Sequence, residues 1–159
     1  MSVSEIICLS LARNLLIDTI VKKKTNEEHP VMSKEKIKME YMLKGGTPSI
    51  VWSIISTPSG LATWFADKVN VHDKIYTFQW GKNEKREAEL ISSRTGSFVR
   101  FHWLDDEEKK SYFELKLVYN ELTEELTLEI TDWAEPGEAE DAKDLWESDI
   151  DKLRRVSGL

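Results

Sequence analysis

The sequence predicts an α+β fold in which one curved antiparallel β-sheet packs against a long C-terminal α-helix. Two patterns support this prediction. Between Ile37 and Trp133 apolar and polar residues alternate in about seven short runs, with one helical interruption after the first run. From Glu138 to Val156 the apolar residues instead recur every three or four positions, as on one face of a helix.

The first run predicts a half-buried strand followed by two short helices. Its alternating apolar residues are Ile37, Met39, Tyr41 and Leu43. After a Gly-Gly break, Thr47 and Pro48 are typical of the N-cap and first turn of a helix. Its buried face is expected to comprise Ile50, Val51, Ile54 and Ile55. Residues 57–60 then end this helix and can cap a second one that reaches about Thr63.

Six further strands are predicted between residues 69 and 131. Short, turn-like connections join them, which indicates antiparallel pairing. The apolar residues of successive strands are Val69 and Val71; Tyr76, Phe78 and Trp80; Ala88 and Leu90; Val99, Phe101 and Trp103; Phe113, Leu115, Leu117 and Tyr119; Leu126, Leu128 and Ile130. One face of the sheet is therefore expected to be covered and the other to face water. Such a sheet twists and curls, so a helix can lie on its concave side.

The last predicted element is the long helix. Pro136-Gly137 precedes it and Gly158 follows it, while acidic residues in the first turns and basic residues in the last complement the helix dipole. The predicted buried stripe consists of Ala139, Ala142, Leu145, Trp146, Ile150, Leu153 and Val156.

Composition restricts the class of protein. A chain of 159 residues is expected to form one main domain, and its net charge of −7 argues against nucleic acid and against an anionic membrane surface. Cys8 is the only cysteine, so the chain has no intrachain disulfide and no cysteine metal site, as is typical of the cytoplasm. No apolar run approaches the roughly 20 residues of a transmembrane helix.

Residues 1–31 are interpreted as an N-terminal extension, with the domain proper spanning residues 32–159. The extension carries an amphipathic pattern, so the alternative is a helix that docks on the domain or on a second copy. A signal peptide is excluded because the basic residues 22–24 follow the apolar run instead of preceding it.

Several short motifs, together with the order of elements, resemble the helix-grip fold of the START-like and birch-pollen-allergen-like (SRPBCC) superfamily. They are Val51-Trp52, Thr57-Pro58-Ser59-Gly60-Leu61, Trp64-Phe65-Ala66-Asp67, Phe101-His102-Trp103, and Trp146 with Leu153. Within that superfamily the motifs resemble a bacterial branch related to the activator of the heat-shock chaperone ATPase. The resemblance spans residues 36–156, and it implies a fold and a habit of holding ligands without implying a substrate.

Members of this fold commonly keep a cavity between sheet and long helix, and a set of mostly aromatic residues would line it here. An apolar or aromatic small molecule or a lipid would suit such walls. The alternative is that these side chains simply fill the core, as aromatic residues mostly do. Trp64 and Phe65 are expected near the mouth. The candidate ligand-binding residues are Trp64, Phe65, Tyr76, Phe78, Trp80, Phe101, Trp103, Phe113, Leu115, Leu117, Trp146 and Asp149.

Asp149 is the one acidic residue of interest, because it lies three residues after Trp146 and so close to the apolar stripe. A partly buried carboxyl could anchor a ligand or donate a proton, although a solvated position on the flank of the helix is the commoner situation. His102 is expected to face outward. No histidines share metal-ligand spacing and no loop resembles a phosphate cradle, so no metal, cofactor or catalytic residue is predicted.

Three functions remain open, with a ligand-binding protein preferred. A protein-interaction module, or a homodimer, would need an exposed apolar patch, for which Phe98, His102 and Tyr112 are candidates. A pocket enzyme such as a cyclase or hydrolase would need at least two polar groups converging on the cavity. The sequence offers only Asp149 and tyrosine hydroxyls for that role, so an enzyme is the least favoured of the three.

Overall fold

The computed structural model describes residues 33–159, so the interpretation of residues 1–31 lies outside the described residues. Its strands are β1 (Glu35–Leu43), β2 (Lys68–His72), β3 (Ile75–Trp80), β4 (Glu84–Arg94), β5 (Phe98–Trp103), β6 (Phe113–Asn120) and β7 (Glu125–Ala134). Its helices are α1 (Pro48–Ser56), α2 (Pro58–Trp64) and α3 (Ala139–Ser157). None of these helices of residues 33–159 is long and apolar enough to span a membrane.

The strands form one curved antiparallel sheet in the order β1-β7-β6-β5-β4-β3-β2. Strands β2 to β7 follow one another as neighbours, whereas β1 pairs with β7, from Glu35 opposite Ala134 to Leu43 opposite Leu126. Helices α1 and α2 carry the chain from the β1 edge to the β2 edge. A register shift between Leu90 and Ser92 interrupts the β4–β5 pairing, and such shifts increase local twist. The predicted helix-grip architecture is confirmed.

Helices α1 and α2 meet in a tight elbow. Thr57 ends α1 and caps α2, where its hydroxyl accepts a hydrogen bond from the Gly60 N–H at 3.0 Å. A Cβ atom on Gly60 would overlap the Ser53 carbonyl oxygen and lie within 2.6 Å of Ile54 Cα, so only glycine permits this approach. The elbow delivers Phe65, the residue that follows α2, into the centre of the core.

The core lies between the concave face of the sheet and the three helices, and α3 contributes Trp146, Ile150 and Leu153 to it. Gly158 ends α3 in a left-handed conformation, φ 70°, and its N–H donates to the Arg154 carbonyl.

Four residues assigned to apolar faces are exposed instead, one of them Val71 on the edge strand β2, which is 40% exposed. Ile50 is 58% exposed because the short α1 buries only the narrow stripe of Val51 and Ile55. Val156 is 53% exposed because it lies past the buried stripe, in the last turn of α3. Tyr119 is 43% exposed at the hairpin end of β6, where no helix covers the sheet. Periodicity alone does not show where the cover ends.

Candidate functional site

A cavity of about 170 Å³ opens at one end of the sheet, beneath the N-terminal half of α3. The starts of β1, β4 and β6 and the ends of β3, β5 and β7 meet there, because neighbouring strands run in opposite directions. The loop between β5 and β6 and the loop between β7 and α3 complete the rim. An engineered cavity of about 150 Å³ holds benzene, so this space admits one aromatic ring.

The inner walls of the cavity are aromatic and come from four different elements. Phe65, Trp80, Trp103 and Trp146 all line it. The Phe65 ring stacks on Trp146 at 5.7 Å between centroids and on Trp103 at 6.5 Å. The indole N–H of Trp80 donates to the Phe65 carbonyl at 2.8 Å. The rings are therefore held in place by each other and by the chain that leaves the α1–α2 elbow.

Charged side chains surround this aromatic floor. Lys34 Nζ lies 2.8 Å from Asp106 Oδ2 and 3.3 Å from Glu135 Oε1. Burial alone would lower the pKa of Lys34, but the hydrogen bonds and charges of these two carboxylates outweigh it and raise that pKa. Arg86 donates to both oxygens of Asp105 at 2.8–3.0 Å and places its guanidinium 4.0 Å from the centre of the Trp103 ring. Both cations at the cavity are thus already engaged with carboxylates.

Asp132, near the end of β7, is half-buried and is one of two acids at the site whose pKa is raised. Burial raises its pKa to about 6, although hydrogen bonds from the Trp146 indole and from the Trp133 backbone N–H act in the opposite direction. It is therefore mostly ionised at pH 7.

Asp149 is the second of these acids, and it lines the cavity from α3. The residue is only 5% exposed, and its Oδ1 has no hydrogen-bond partner among the described residues. Burial raises its pKa to about 8, with the charge of Lys152 only partly opposing the shift. Of the two interpretations of Asp149, the buried position at the edge of the cavity is the one that the structure shows.

The twelve candidate ligand-binding residues fall into two groups. Phe65, Trp80, Trp103, Trp146 and Asp149 line the cavity. The other seven pack in the core, namely Trp64, Tyr76, Phe78, Phe101, Phe113, Leu115 and Leu117. The expected position of Trp64 and Phe65 at the mouth is wrong, because both are buried and Trp64 donates its indole N–H to the Ile54 carbonyl. Ligand binding by any of the twelve stays a prediction.

Three charged residues of the site were missed from the sequence: Lys34, Arg86 and Asp132. Two of them could have been recognised from their positions in a strand, because every second side chain of a strand points to the same face of the sheet. Arg86 has the same parity as the buried Ala88, and Asp132 has the parity of the buried Ile130. A charged residue at a strand position that faces the concave side indicates that polar groups line part of that side. Lys34 precedes β1, where no periodicity applies.

The outer face of the sheet offers little open apolar surface at the predicted patch. The guanidinium of Arg100 covers the Tyr112 ring at 4.3 Å and lies 5.8 Å from that of Phe98. His102 shares a 2.8 Å hydrogen bond with the Ser111 carbonyl oxygen, and its outward position agrees with the sequence prediction. Ion pairs also form on this face, with Arg100 2.6 Å from Glu114 and Lys116 3.2 Å from Glu129.

Comparison with protein families identifies the fold. The profile of the START-like superfamily domain matches residues 31–159, which is most of the chain. The chain belongs to the START-like superfamily. The comparison with curated proteins returned no match.

Three solved structures are similar to this chain. A Bacteroides fragilis protein solved by solution NMR is 55% identical, with 80% of this chain and 94% of that one covered at a TM-score of 0.59. DynU16, a protein of the dynemicin biosynthetic locus, is 17% identical at a TM-score of 0.64. The match covers 77% of this chain but 47% of DynU16, so the chain spans about half the length of that protein.

The third similar structure is the Aha1 dimer from Colwellia psychrerythraea. It is 12% identical at a TM-score of 0.52, with 62% of this chain and 75% of that one covered. At these identities the Aha1 and DynU16 structures show a shared fold alone.

Proposed function

We propose that this START-like domain binds a small aromatic molecule bearing a polar group, in the cavity between the sheet and α3. The observation that carries this proposal is the combination of stacked aromatic walls with a buried, unpartnered Asp149 oxygen at the same cavity. A buried polar atom without a partner is costly to the fold, and such groups cluster where a ligand supplies the missing contact.

The size and chemistry of the cavity define the class of ligand. About 170 Å³ is smaller than the 300 Å³ or more that encloses a drug-sized ligand. One ring therefore fits inside, while the remainder of a larger molecule or lipid would extend past the charged rim. Stacking on Phe65 and Trp146 favours an aromatic ring over an alkyl chain.

Two features of the chain and its relatives are consistent with this proposal. The single cysteine and the acidic composition fit a cytoplasmic ligand carrier. The fold shared with DynU16, from a locus for natural-product biosynthesis, is compatible with a role in handling organic molecules.

A pocket enzyme is a second candidate, because two carboxyl groups meet at the cavity. At pH 7 Asp132 is mostly ionised and Asp149 mostly protonated, as a paired base and acid would be. If a molecule that co-purifies with the protein is recovered unchanged after prolonged incubation, this favours a carrier over an enzyme.

The interaction-module alternative, including a homodimer, is supported by the fold shared with the Aha1 dimer alone. The cations that lie over Tyr112 cover part of the patch that was predicted on the outer face for such a role.

Native mass spectrometry for a co-purified ligand, followed by NMR titration with single-ring aromatic compounds, tests the proposed function. Binding should shift the indole N–H resonances of Trp80 and Trp146 with saturable, one-site behaviour. Ala142→Leu, which narrows the cavity, should abolish binding in a protein that stays folded. Ala139→Leu is the matched control, since Ala139 is also a half-buried alanine of α3 but does not line the cavity. Absence of binding, or equal binding by Ala142→Leu, would overturn the proposal.

A further inference from the structure

We propose that the ligand of this cavity is an organic cation, an arylalkyl amine whose ammonium group lies beside the carboxyl group of Asp149. This inference rests on the proposed function, since it assigns the chemical class of the molecule bound at the same site.

The charge around the cavity favours a cation. Of the described residues that line it, two are cationic and six carry carboxyl groups, namely Asp106, Asp132, Glu135, Glu138, Asp141 and Asp149. Both cations already have carboxylate partners, Lys34 with Asp106 and Glu135 and Arg86 with Asp105. The field that a ligand meets at the mouth is consequently negative, and a concave site concentrates such a field.

Asp149 supplies the specific contact. Its side chain is buried at the cavity, and Oδ1 lacks a hydrogen-bond partner within the described part of the chain. An ammonium group donates to a carboxylate more strongly than a neutral group does, because the hydrogen bond is assisted by charge. A cation would therefore satisfy the oxygen that the fold leaves unpaired.

The aromatic walls suit a cation as well as a ring. Trp faces attract cations within about 6 Å of the ring centre. The site already shows this contact, since Arg86 lies 4.0 Å from the centre of the Trp103 ring. Trp80 and Trp146 present further indoles at the same cavity. Among residues 33–159 no acids and histidines are grouped so as to hold a metal ion, which favours a bulky organic cation over a metal ion.

Cation binding at Asp149 should be linked to release of a proton. The groups that interact electrically with Asp149 are Lys152 on the same helix, which also lies 4.0 Å from Asp67, and Tyr41 on β1. Asp132 and Arg86 face the same cavity from β7 and β4. In this setting the pKa of Asp149 is raised to about 8, so the free protein carries the proton at pH 7. A bound ammonium favours the ionised carboxylate, and the affinity should rise between pH 6 and pH 8.

Three benzyl probes of similar size test the inference: benzylammonium, benzyl alcohol and phenylacetate. At pH 7 the cation should bind at least tenfold more tightly than the alcohol, a difference of about 1.4 kcal/mol. Calorimetry in two buffers with different ionisation enthalpies should show release of about one proton per bound cation. The amine of this probe has a pKa well above 7 and stays protonated beside a carboxylate, so the released proton comes from the protein.

Variants then locate the effect. Asp149→Asn should abolish proton release and weaken binding of benzylammonium by at least fivefold. Asp144→Asn, an exposed acid on the same helix that does not line the cavity, removes the same charge and should leave both quantities unchanged.

Each other result overturns the inference in a distinguishable way. Equal or tighter binding of the alcohol or of phenylacetate would exclude a cation site and leave the proposed function intact. Cation binding that is equally tight in Asp149→Asn would exclude Asp149 as the partner. If none of the three probes shifts the Trp80 or Trp146 resonances, the inference and the proposed function fail together.

Discussion

The indole nitrogen of Trp146 lies 2.8 Å from Asp132 Oδ2, and this hydrogen bond joins the middle of α3 to the end of β7. Because the acceptor is a half-buried carboxylate, the bond both fixes the helix over the sheet and stabilises the negative charge of Asp132. The ring of the same tryptophan stacks on Phe65, so one side chain ties three parts of the cavity wall together.

Substitution of Trp146 should separate these two contributions. Trp146→Phe keeps a ring but removes the donor, and should lower the free energy of unfolding by about 1.5–3 kcal/mol, since Asp132 loses a charged hydrogen bond. Trp146→Ala also leaves a hole and should cost about 3–5 kcal/mol. Urea denaturation measures both values. Trp52→Phe is the control, because Trp52 is half-buried and its indole makes no hydrogen bond within the described residues. Equal costs for the two Phe variants would show that the bond to Asp132 contributes nothing.

Asp149 should make stability fall as pH rises. In the unfolded chain its carboxyl group ionises near pH 3.8, whereas in the folded chain it keeps its proton up to about pH 8. Unfolding therefore releases a proton within this interval, and each further unit of pH favours the unfolded state. Asn cannot ionise, so its stability lacks this dependence on pH. Between pH 5 and pH 8 the free energy of unfolding of Asp149→Asn should therefore rise by about 2–4 kcal/mol relative to that of wild type.

Chemical denaturation at several pH values measures this difference, and Asp144→Asn provides the exposed control on the same helix. Asp132 also titrates within the interval, but it is present in all three proteins and cancels. A stability difference between Asp149→Asn and wild type that does not change with pH would show that Asp149 ionises freely in the folded protein.

Gly60→Ala should destabilise the protein by about 1–3 kcal/mol, because the new methyl group would collide with the backbone of α1. Opening the elbow should also displace Phe65 and so weaken the binding of aromatic probes at the cavity. Thermal and urea denaturation, with the NMR titration, measure the two effects. Ser59→Ala is the neighbouring control, since Ser59 is exposed and its substitution should change stability by less than about 0.5 kcal/mol. If Gly60→Ala changes stability as little as Ser59→Ala does, the elbow can relax enough to accept the methyl group.

A chain that begins at Met32 should fold with stability within about 1 kcal/mol of the full chain. The reason is that the described core, from Ile37 to Leu153, lies wholly after that residue. Differential scanning calorimetry of the two chains compares them directly. A loss of several kelvin in melting temperature on truncation would instead show that residues 1–31 dock on the domain.

The sequence predicted the fold well because alternation and helical periodicity are strong in long elements. Helix α3 has both end signals and a continuous stripe, and each strand of the sheet carries at least two alternating apolar residues. The elbow was also readable, since Thr57-Pro58 provides a cap and a first-turn proline. Burial was less predictable at the ends of elements, as Ile50 and Val156 show.

The site was harder to predict, since core and cavity walls use the same residues. Phe78 and Trp80 share one face of β3, yet only Trp80 lines the cavity, because only the end of the strand lies at the opening. The sequence does not indicate where along the curved sheet the cover provided by α3 ends. Alternation along β7 could have predicted that Asp132 faces the concave side. The burial of Asp149 could not be predicted in this way, because it depends on which flank of α3 meets the sheet.

The pairing of β1 with β7 has a consequence for how the protein folds. The pairing partners of residues 35–43 lie some ninety positions later in the chain, from Leu126 to Ala134, so β1 cannot pair until that segment has been synthesised. On the ribosome, β1 therefore emerges as a strand with neither its neighbour nor the helix that covers it. Such non-local pairing slows folding and leaves a strand edge open to other chains. Lys36, Lys38 and Glu40, which alternate with the apolar residues of β1, place charge on that edge and so disfavour association until β7 arrives.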